Sequence, residues 1–463
     1  MKPSKHRTTK RSAIDKMANA LKQIARLDHS ISVPSIGTVF RYEPMTPIGM
    51  AQAHVADIYG MPFAYPSTSG TTPLNVMALL CLVRPGDTVL IQRDSHVSVL
   101  AAIIHAGLRP AYITPRYSEK LGVTMGITAE ELRQALDDHP KARAIFLTYP
   151  NYFGIATDIE ALALEARSRS IPLVVDSAHG SHWAFHPDFP KRAEETSARI
   201  VTYSTHKTCP ALGQGSIILF NNKNLIPRFY EVVNDLGFVS TSFSSVILTA
   251  LFNGIETLSV QGETLFTDRL EMAKWTRIEI NKIKGLRSFG LEETQPGFHD
   301  FDPLRLTVDV SGIGLTGYEA EDILIEHGCY PEMASLKNTL FLITLGIGWK
   351  EVRRLVKLLK QITSETRPLR RLPQMTQPEL PRQMVLPREA FYHLDRRSVS
   401  VRSAVGKISA ETISAYPPGS AIIVAGEEIS RDVVKYLKCV RAHGGVLKGA
   451  SDPEFKRIKI LNV

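Results

Sequence analysis

The sequence predicts an α/β fold: a mainly parallel, seven-stranded sheet with helices on both faces, followed by smaller α+β units. Three observations lead there. From residue 60 onward, short runs rich in β-branched residues alternate with stretches of helical character. Strands separated by helices call for right-handed crossovers, which make neighbouring strands parallel. At 463 residues, with 44% hydrophobic and 22% charged side chains, the chain can build two or three cored domains.

Taken in order, residues 12–28 place Ile14, Met17, Leu21 and Ile24 at helical spacing, predicting an amphipathic opening helix. Proline and glycine punctuate residues 33–49, read as an irregular arm. Predicted strands are 88–92 (TVLIQ), 109–114 (RPAYIT), 144–148 (AIFLT), 172–176 (PLVVD), 200–204 (IVTYS) and 215–220 (GSIILF). So few residues separate the last two that the final strand is free to run the other way. Helices are expected at 73–82, 129–136, 158–168, 243–260 and 265–284. A strand (304–310), helix (316–327), strand (339–344) and helix (350–362) form a second unit. Five prolines in 365–388 mark a linker, and a last strand (421–425) and helix (430–443) follow it. The domain boundaries are therefore 1–59 for helix and arm, 60–285 for the large domain, and 286–364 for the small one. Residues 365–388 link these to a C-terminal domain at 389–463.

Composition excludes several classes. No apolar run is long enough to cross a bilayer, and the basic N-terminus lacks the apolar stretch of a secretory signal. Cys81, Cys209, Cys329 and Cys439 are scattered without a CxxC pair, as expected of reduced thiols in the cytoplasm, with no metal site. The net charge of +9 is concentrated in residues 2–11 and 367–382. It is read as solvated tail and linker rather than a nucleic-acid footprint.

Three features converge at strand C-termini, where open α/β sheets bind ligands. Ser69-Gly70-Thr71-Thr72 opens a helix, so free backbone N–H groups, a permissive glycine and two hydroxyls make a phosphate cradle. Asp176 ends an apolar strand, where it can serve a heterocyclic nitrogen. Lys207, in Ser204-Thr205-His206-Lys207-Thr208, follows another, and a desolvated lysine amine can bond a carbonyl cofactor. Cradle, then acid, then lysine is the order of a pyridoxal phosphate (PLP) enzyme of the aspartate aminotransferase fold, fold type I. An ion pair to Asp176 keeps the pyridine nitrogen protonated and deepens the electron sink. His96, on the same rim, can stack on the ring.

The chain resembles the Orn/Lys/Arg decarboxylase family of PLP enzymes from about residue 48 to 430. The resemblance lies in RPGDTVLIQRDSHVSV, PLVVDSAHGSHWAFHP, STHKTCPALGQGS and YPPGSAIIVAGEEI. It implies Lys207 as the Schiff-base lysine, with Asp176 on the pyridinium. Gly70, Thr71, Thr72, Ser204 and His206 would be at the phosphate, His96 over the ring and Ala178 beneath it. Lys207, His96 and His206 are the implied catalytic residues, and Glu427 would help shape the substrate entrance. It further implies a homodimer, or an assembly of dimers, with the active site at the interface, and a small-molecule amino-acid substrate in polyamine metabolism. The expected reaction is α-decarboxylation of arginine, lysine or ornithine. Alternatives are transamination, elimination or oxidative deamination of a basic amino acid, or a catalytically weakened PLP-binding protein.

The departures are local. The family's opening His-x-Pro-Gly-His-Lys stretch has no counterpart, its Asp-Glu-Ala-His reads Asp176-Ser177-Ala178-His179, and its Thr-Tyr-x-Gly reads Asn151-Tyr152-Phe153-Gly154.

Overall fold

A computed structural model describes residues 47–236, 244–366, 377–416 and 420–462. The opening helix expected at 12–28, and most of the arm expected at 33–49, lie outside the described residues. The end of that arm is instead helical: α1 spans Pro47–Ile58.

The central sheet comprises β1 (Phe63–Ser67), β2 (Thr88–Gln92), β3 (Arg109–Ile113), β4 (Ala142–Thr148), β5 (Leu173–Asp176), β6 (Ile200–Tyr203) and β7 (Ser216–Phe220). Their spatial order is β1-β7-β6-β5-β4-β2-β3. The five strands from β6 to β3 pair in parallel, whereas β7 is antiparallel to both β6 and β1. Only the short Ser204–Gly215 connection joins β6 to β7, too short for a crossover helix, so the strand reverses. β1 then runs with the parallel set, which brings its C-terminal end to the same edge as theirs.

Both faces of the sheet are buried, as the apolar runs demand. Alternate residues divide between two cores: Leu90, Ile145, Val175, Val201 and Leu219 on one face, and Ile91, Phe146, Val174, Ile200 and Phe220 on the other. Helices α2 (Thr71–Leu80), α3 (Ser98–Ala106), α4 (Ala129–Asp138) and α5 (Ile159–Ser168) make the connections. Side chains cap two of these helices. Thr128 and Glu131 form a capping box on α4, and the Asp158 side chain caps α5.

One helix differs from expectation. Residues 243–284, read as two helices, contain a single 37-residue helix, α6 (Ser245–Asn281). Gly262, between the two expected helices, is a packing residue: a Cβ there would meet Phe185 Cβ at 2.6 Å. Absence of a side chain lets the long helix approach the large domain closely.

The second unit is a four-stranded antiparallel sheet led by β8 (Arg305–Asp309) and β9 (Asn338–Leu342), covered by α7 (Gly317–Glu326) and α8 (Trp349–Glu365). Beyond it, Ile413–Tyr416, Ala421–Ile423 and Val446–Lys448 form a three-stranded sheet under helix Arg431–Ala442. Residues 417–419, the core of the YPPG match, lie outside the described residues. Among the described residues no helix is long and apolar enough to cross a membrane.

Candidate active site

The edge formed by the C-terminal ends of β1, β2, β5 and β6 carries a cavity of about 270 Å³. Each residue singled out from the sequence for cofactor or catalysis lines it: Gly70, Thr71, Thr72, His96, Asp176, Ala178, Ser204, His206 and Lys207.

β1 ends at Ser67, and the chain turns through Gly70 into α2. Gly70 holds φ 81°, a left-handed conformation that side-chain-bearing residues rarely adopt, and a Cβ at that position would meet nothing within 4 Å. The open space stands at a helix N-terminus without a side-chain cap. Thr71 Oγ1 and Ser204 Oγ are 2.5 Å apart, bracing β6 against the cradle. The His206 Nδ1 donates to the Gly215 carbonyl at 2.8 Å, leaving Nε2 as the ring position available for a ligand.

Asp176 is buried, 3% exposed, and held by two donors: Asn75 Nδ2 at 2.8 Å and the Ala178 N–H at 3.1 Å. Asn75 was not evident from the sequence, although it lies one turn into the helix that begins at the cradle. It also donates to Ser98 Oγ at 3.0 Å and accepts from Thr202 Oγ1 at 2.7 Å. Ser98 in turn meets His96 Nδ1 at 3.0 Å. One amide thus ties the carboxylate to the histidine expected over the ring. Asn75→Ala should leave Thr202 and Ser98 short of a partner, lowering stability in urea titrations of cofactor-free protein by about 1–3 kcal/mol.

Lys207 is half-buried, and desolvation pushes its pKa below the ordinary lysine value, Arg305 adding to the effect and Asp176 opposing it. Its Nζ lies 3.3 Å from Nε2 of buried His179, whose Nδ1 accepts from Arg305 Nη2 at 2.7 Å. The Tyr152 ring packs against His179 with centroids 4.5 Å apart. None of His179, Arg305 and Tyr152 was assigned a role from the sequence. His179 and Tyr152 sit in quoted motifs, and Arg305 carries no local signal. The departures from the family pattern have local partners. The Ser177 hydroxyl donates to the Tyr149 carbonyl, and Asn151 Oδ1 accepts from the Phe153 and Ile155 N–H groups at 3.0 Å each.

Glu427, given a part at the substrate entrance by resemblance, is fully buried. It receives two Arg93 bonds, at 2.7 and 2.9 Å, and one from the Val424 N–H at 2.7 Å. Its visible task is to join the C-terminal domain to the segment after β2. The following residue, Asp94, lines both the cavity and an adjoining one of about 120 Å³. Among the described residues, no cluster of three or more metal-ligating side chains occurs.

Comparison with known proteins decides the family. The pattern of the Orn/Lys/Arg decarboxylase major domain matches residues 20–351, and that of the C-terminal domain matches residues 370–450. The chain belongs to the Orn/Lys/Arg decarboxylase family. An arginine decarboxylase of Bacillus subtilis is 31% identical over 427 residues, covering 91% of this chain and 86% of that protein. The lysine decarboxylase LdcA of Pseudomonas aeruginosa is 24% identical over 527 residues, covering 90% and 70%. The crystal structure of the Francisella novicida lysine decarboxylase LdcF superposes with a TM-score of 0.77 at 20% identity, covering 91% of this chain and 72% of that one. This decarboxylase is PLP-dependent, with the fold type I architecture.

The cavity of this family member fits that cofactor by the chemistry of its donors. It offers a helix N-terminus with hydroxyls for a phosphate and a carboxylate for a ring nitrogen. A half-buried amine stands ready for an aldehyde, and Ala178 is small enough to leave room for a flat ring.

Proposed function

We propose that the protein decarboxylates a basic amino acid at its α-carbon, with arginine as the foremost substrate. One observation carries this reading: a single cavity joins the helix cradle, Asp176 and Lys207 to the carboxylate of Asp94. The higher identity to proteins named arginine decarboxylase, 31% against 24% for the lysine enzyme, favours arginine.

When bound, PLP accepts the electron pair released at the substrate α-carbon. In this reading Thr71, Thr72, Ser204 and His206 hold its phosphate, and Asp176 keeps a proton on its ring nitrogen. Asn75 steadies that carboxylate, and His96 covers the ring face. Lys207 Nζ would be the amine that holds the aldehyde. Lys207 Nζ would take the proton that the substrate ammonium gives up on entry and pass it to Cα, in the place of the carboxylate that leaves as CO2. Asp94 faces the substrate's cationic end, which supplies the local acidic site that a basic protein needs for a basic substrate.

His96 is exposed in the single chain. That supports a homodimer, or assembly of dimers, in which a second subunit covers this rim; light scattering on the purified protein tests the stoichiometry.

Asp94 gives a pH dependence. Desolvation raises its carboxyl to about 6, against hydrogen bonds from Gln92 and Thr124. Above that pH it is charged and attracts a cation; below, it is neutral. KM for arginine should therefore rise as pH falls through about 6. Asp94→Asn should raise KM about 10- to 100-fold and remove the inflection, since a hydrogen bond to a charged group contributes about 1.5–3 kcal/mol. An unchanged KM would remove Asp94 from substrate binding. For the reaction itself, purified PLP-loaded protein is given arginine, lysine and ornithine, and products are identified by mass spectrometry. A diamine or agmatine-type amine is expected; a keto acid would overturn decarboxylation.

A further inference from the structure

Arg305 is the largest fully buried side chain among the described residues, 1% exposed. A guanidinium is seldom placed so deep without a task. Gly154, at φ 84°, makes room for it, since a Cβ there would come within 2.5 Å of Arg305 Cγ. Its Nη1 reaches the Tyr152 carbonyl at 3.5 Å, and its Nε lies 3.9 Å from Asp302. Its shortest polar side-chain contact is Nη2 to His179 Nδ1, at 2.7 Å.

That contact dictates the protonation of the imidazole. A guanidinium only donates, and it stays charged throughout the range in which proteins fold. Nδ1 must therefore present a lone pair, because a hydrogen there would point at another donor. The ring hydrogen is left on Nε2, and Nε2 faces Lys207 Nζ at 3.3 Å. An ammonium offers three donors and no acceptor, so it would meet the Nε2 hydrogen donor to donor. A neutral amine accepts it.

We propose that Arg305 and His179 are positioning residues that hold the Lys207 amine in its neutral, accepting form, ready to bond an aldehyde. The inference rests on Lys207 being the cofactor lysine. Burial acts in the same sense, lowering both the His179 and the Lys207 pKa, with the Arg305 charge adding to each. Other groups face the amine from the surrounding elements. Asp176 from β5 and Glu332 from the small domain favour the ammonium, as does the Tyr152 ring, whose centroid is 6.0 Å from Nζ. His96, next to α3, and His206, on the lysine's own turn, act against it when protonated. The Arg305–His179 pair decides the balance because, among the described residues, it supplies the directed donor at hydrogen-bond distance from Nζ.

The test is competitive acetylation of full-length, cofactor-free protein across a neutral to alkaline pH series, with Lys207 modification read by peptide mass spectrometry. Wild-type Lys207 should show a midpoint below the ordinary lysine value of about 10.4. His179→Phe, which fills the ring volume without either nitrogen, should move it up by about one pH unit. His179→Gln should keep the low midpoint, since one amide can accept from Arg305 and donate to Lys207. Far-UV circular dichroism and an unmoved midpoint at exposed Lys223 establish that each variant is folded; His179→Leu replaces the phenylalanine variant should that one fail to fold. An unmoved Lys207 midpoint without the imidazole overturns the proposal, as does a glutamine variant that behaves like phenylalanine. Borohydride reduction of PLP-loaded wild type separates the two readings. Cofactor mass on Lys207 with an unmoved midpoint overturns the lock alone, whereas cofactor mass on another residue overturns the assignment of the site and the lock with it.

Discussion

Lys207→Ala is expected to lower decarboxylation by at least about 10⁴-fold, because one side chain supplies both the covalent attachment and the returning proton. Fold and stability should change little, since Lys207 is half-buried at the cavity wall rather than in the core. Cofactor should still bind through the helix cradle, but without a borohydride-stable link. Added methylamine offers a readout that a structural defect would not share: an exogenous amine can enter the emptied space and restore part of the activity. Loss of activity together with loss of fold would instead make Lys207 a structural residue. The measurements are product formation by mass spectrometry and far-UV circular dichroism.

The second large effect concerns stability. Glu427→Ala should destabilise the protein by about 3–5 kcal/mol, because it strands the buried Arg93 guanidinium without its carboxylate. Among the described residues, Arg93 would keep the Ile422 carbonyl at 3.2 Å and the Tyr112 ring, 4.6 Å from its carbon to the centroid. Glu427→Gln should cost less, since an amide oxygen still accepts one of the two bonds. Denaturant titration checks both. Activity should also fall, because Arg93 adjoins Asp94 and tilting that segment moves the carboxylate proposed for substrate recognition. A loss below about 1 kcal/mol for the alanine variant would mean that the pair is solvated.

What was legible in the sequence follows from the range of the forces concerned. The parallel strands could be read because burial on both faces requires continuous apolar runs such as TVLIQ and PLVVD. The site could be read in part because glycine, hydroxyls, acid and lysine each sit at a strand end, where the topology gathers them on one edge. β1 has no counterpart among the predicted strands: FAYPS contains a proline, which its place at the sheet edge beside β7 accommodates. The continuity of α6 was not legible, because Gly262, which lies between the two expected helices, serves close packing on Phe185 inside one helix. Asn75, Arg305 and the partner of Glu427 were not legible. Asn75 meets Asp176 across 101 positions, Arg305 meets His179 across 126, and Arg93 meets Glu427 across 334. No periodicity encodes contacts at such separations. The family resemblance brought Glu427 into view without its partner, and so suggested an entrance where the structure has a clasp.

Most direct of all is to ask which atom carries the cofactor. PLP-loaded protein is reduced with borohydride, digested and mapped by mass spectrometry. The account predicts one added pyridoxyl group per chain, on Lys207 alone, and its disappearance after incubation with excess arginine before reduction. A pyridoxyl group on any other lysine, or none in a protein that has bound the cofactor, would contradict it.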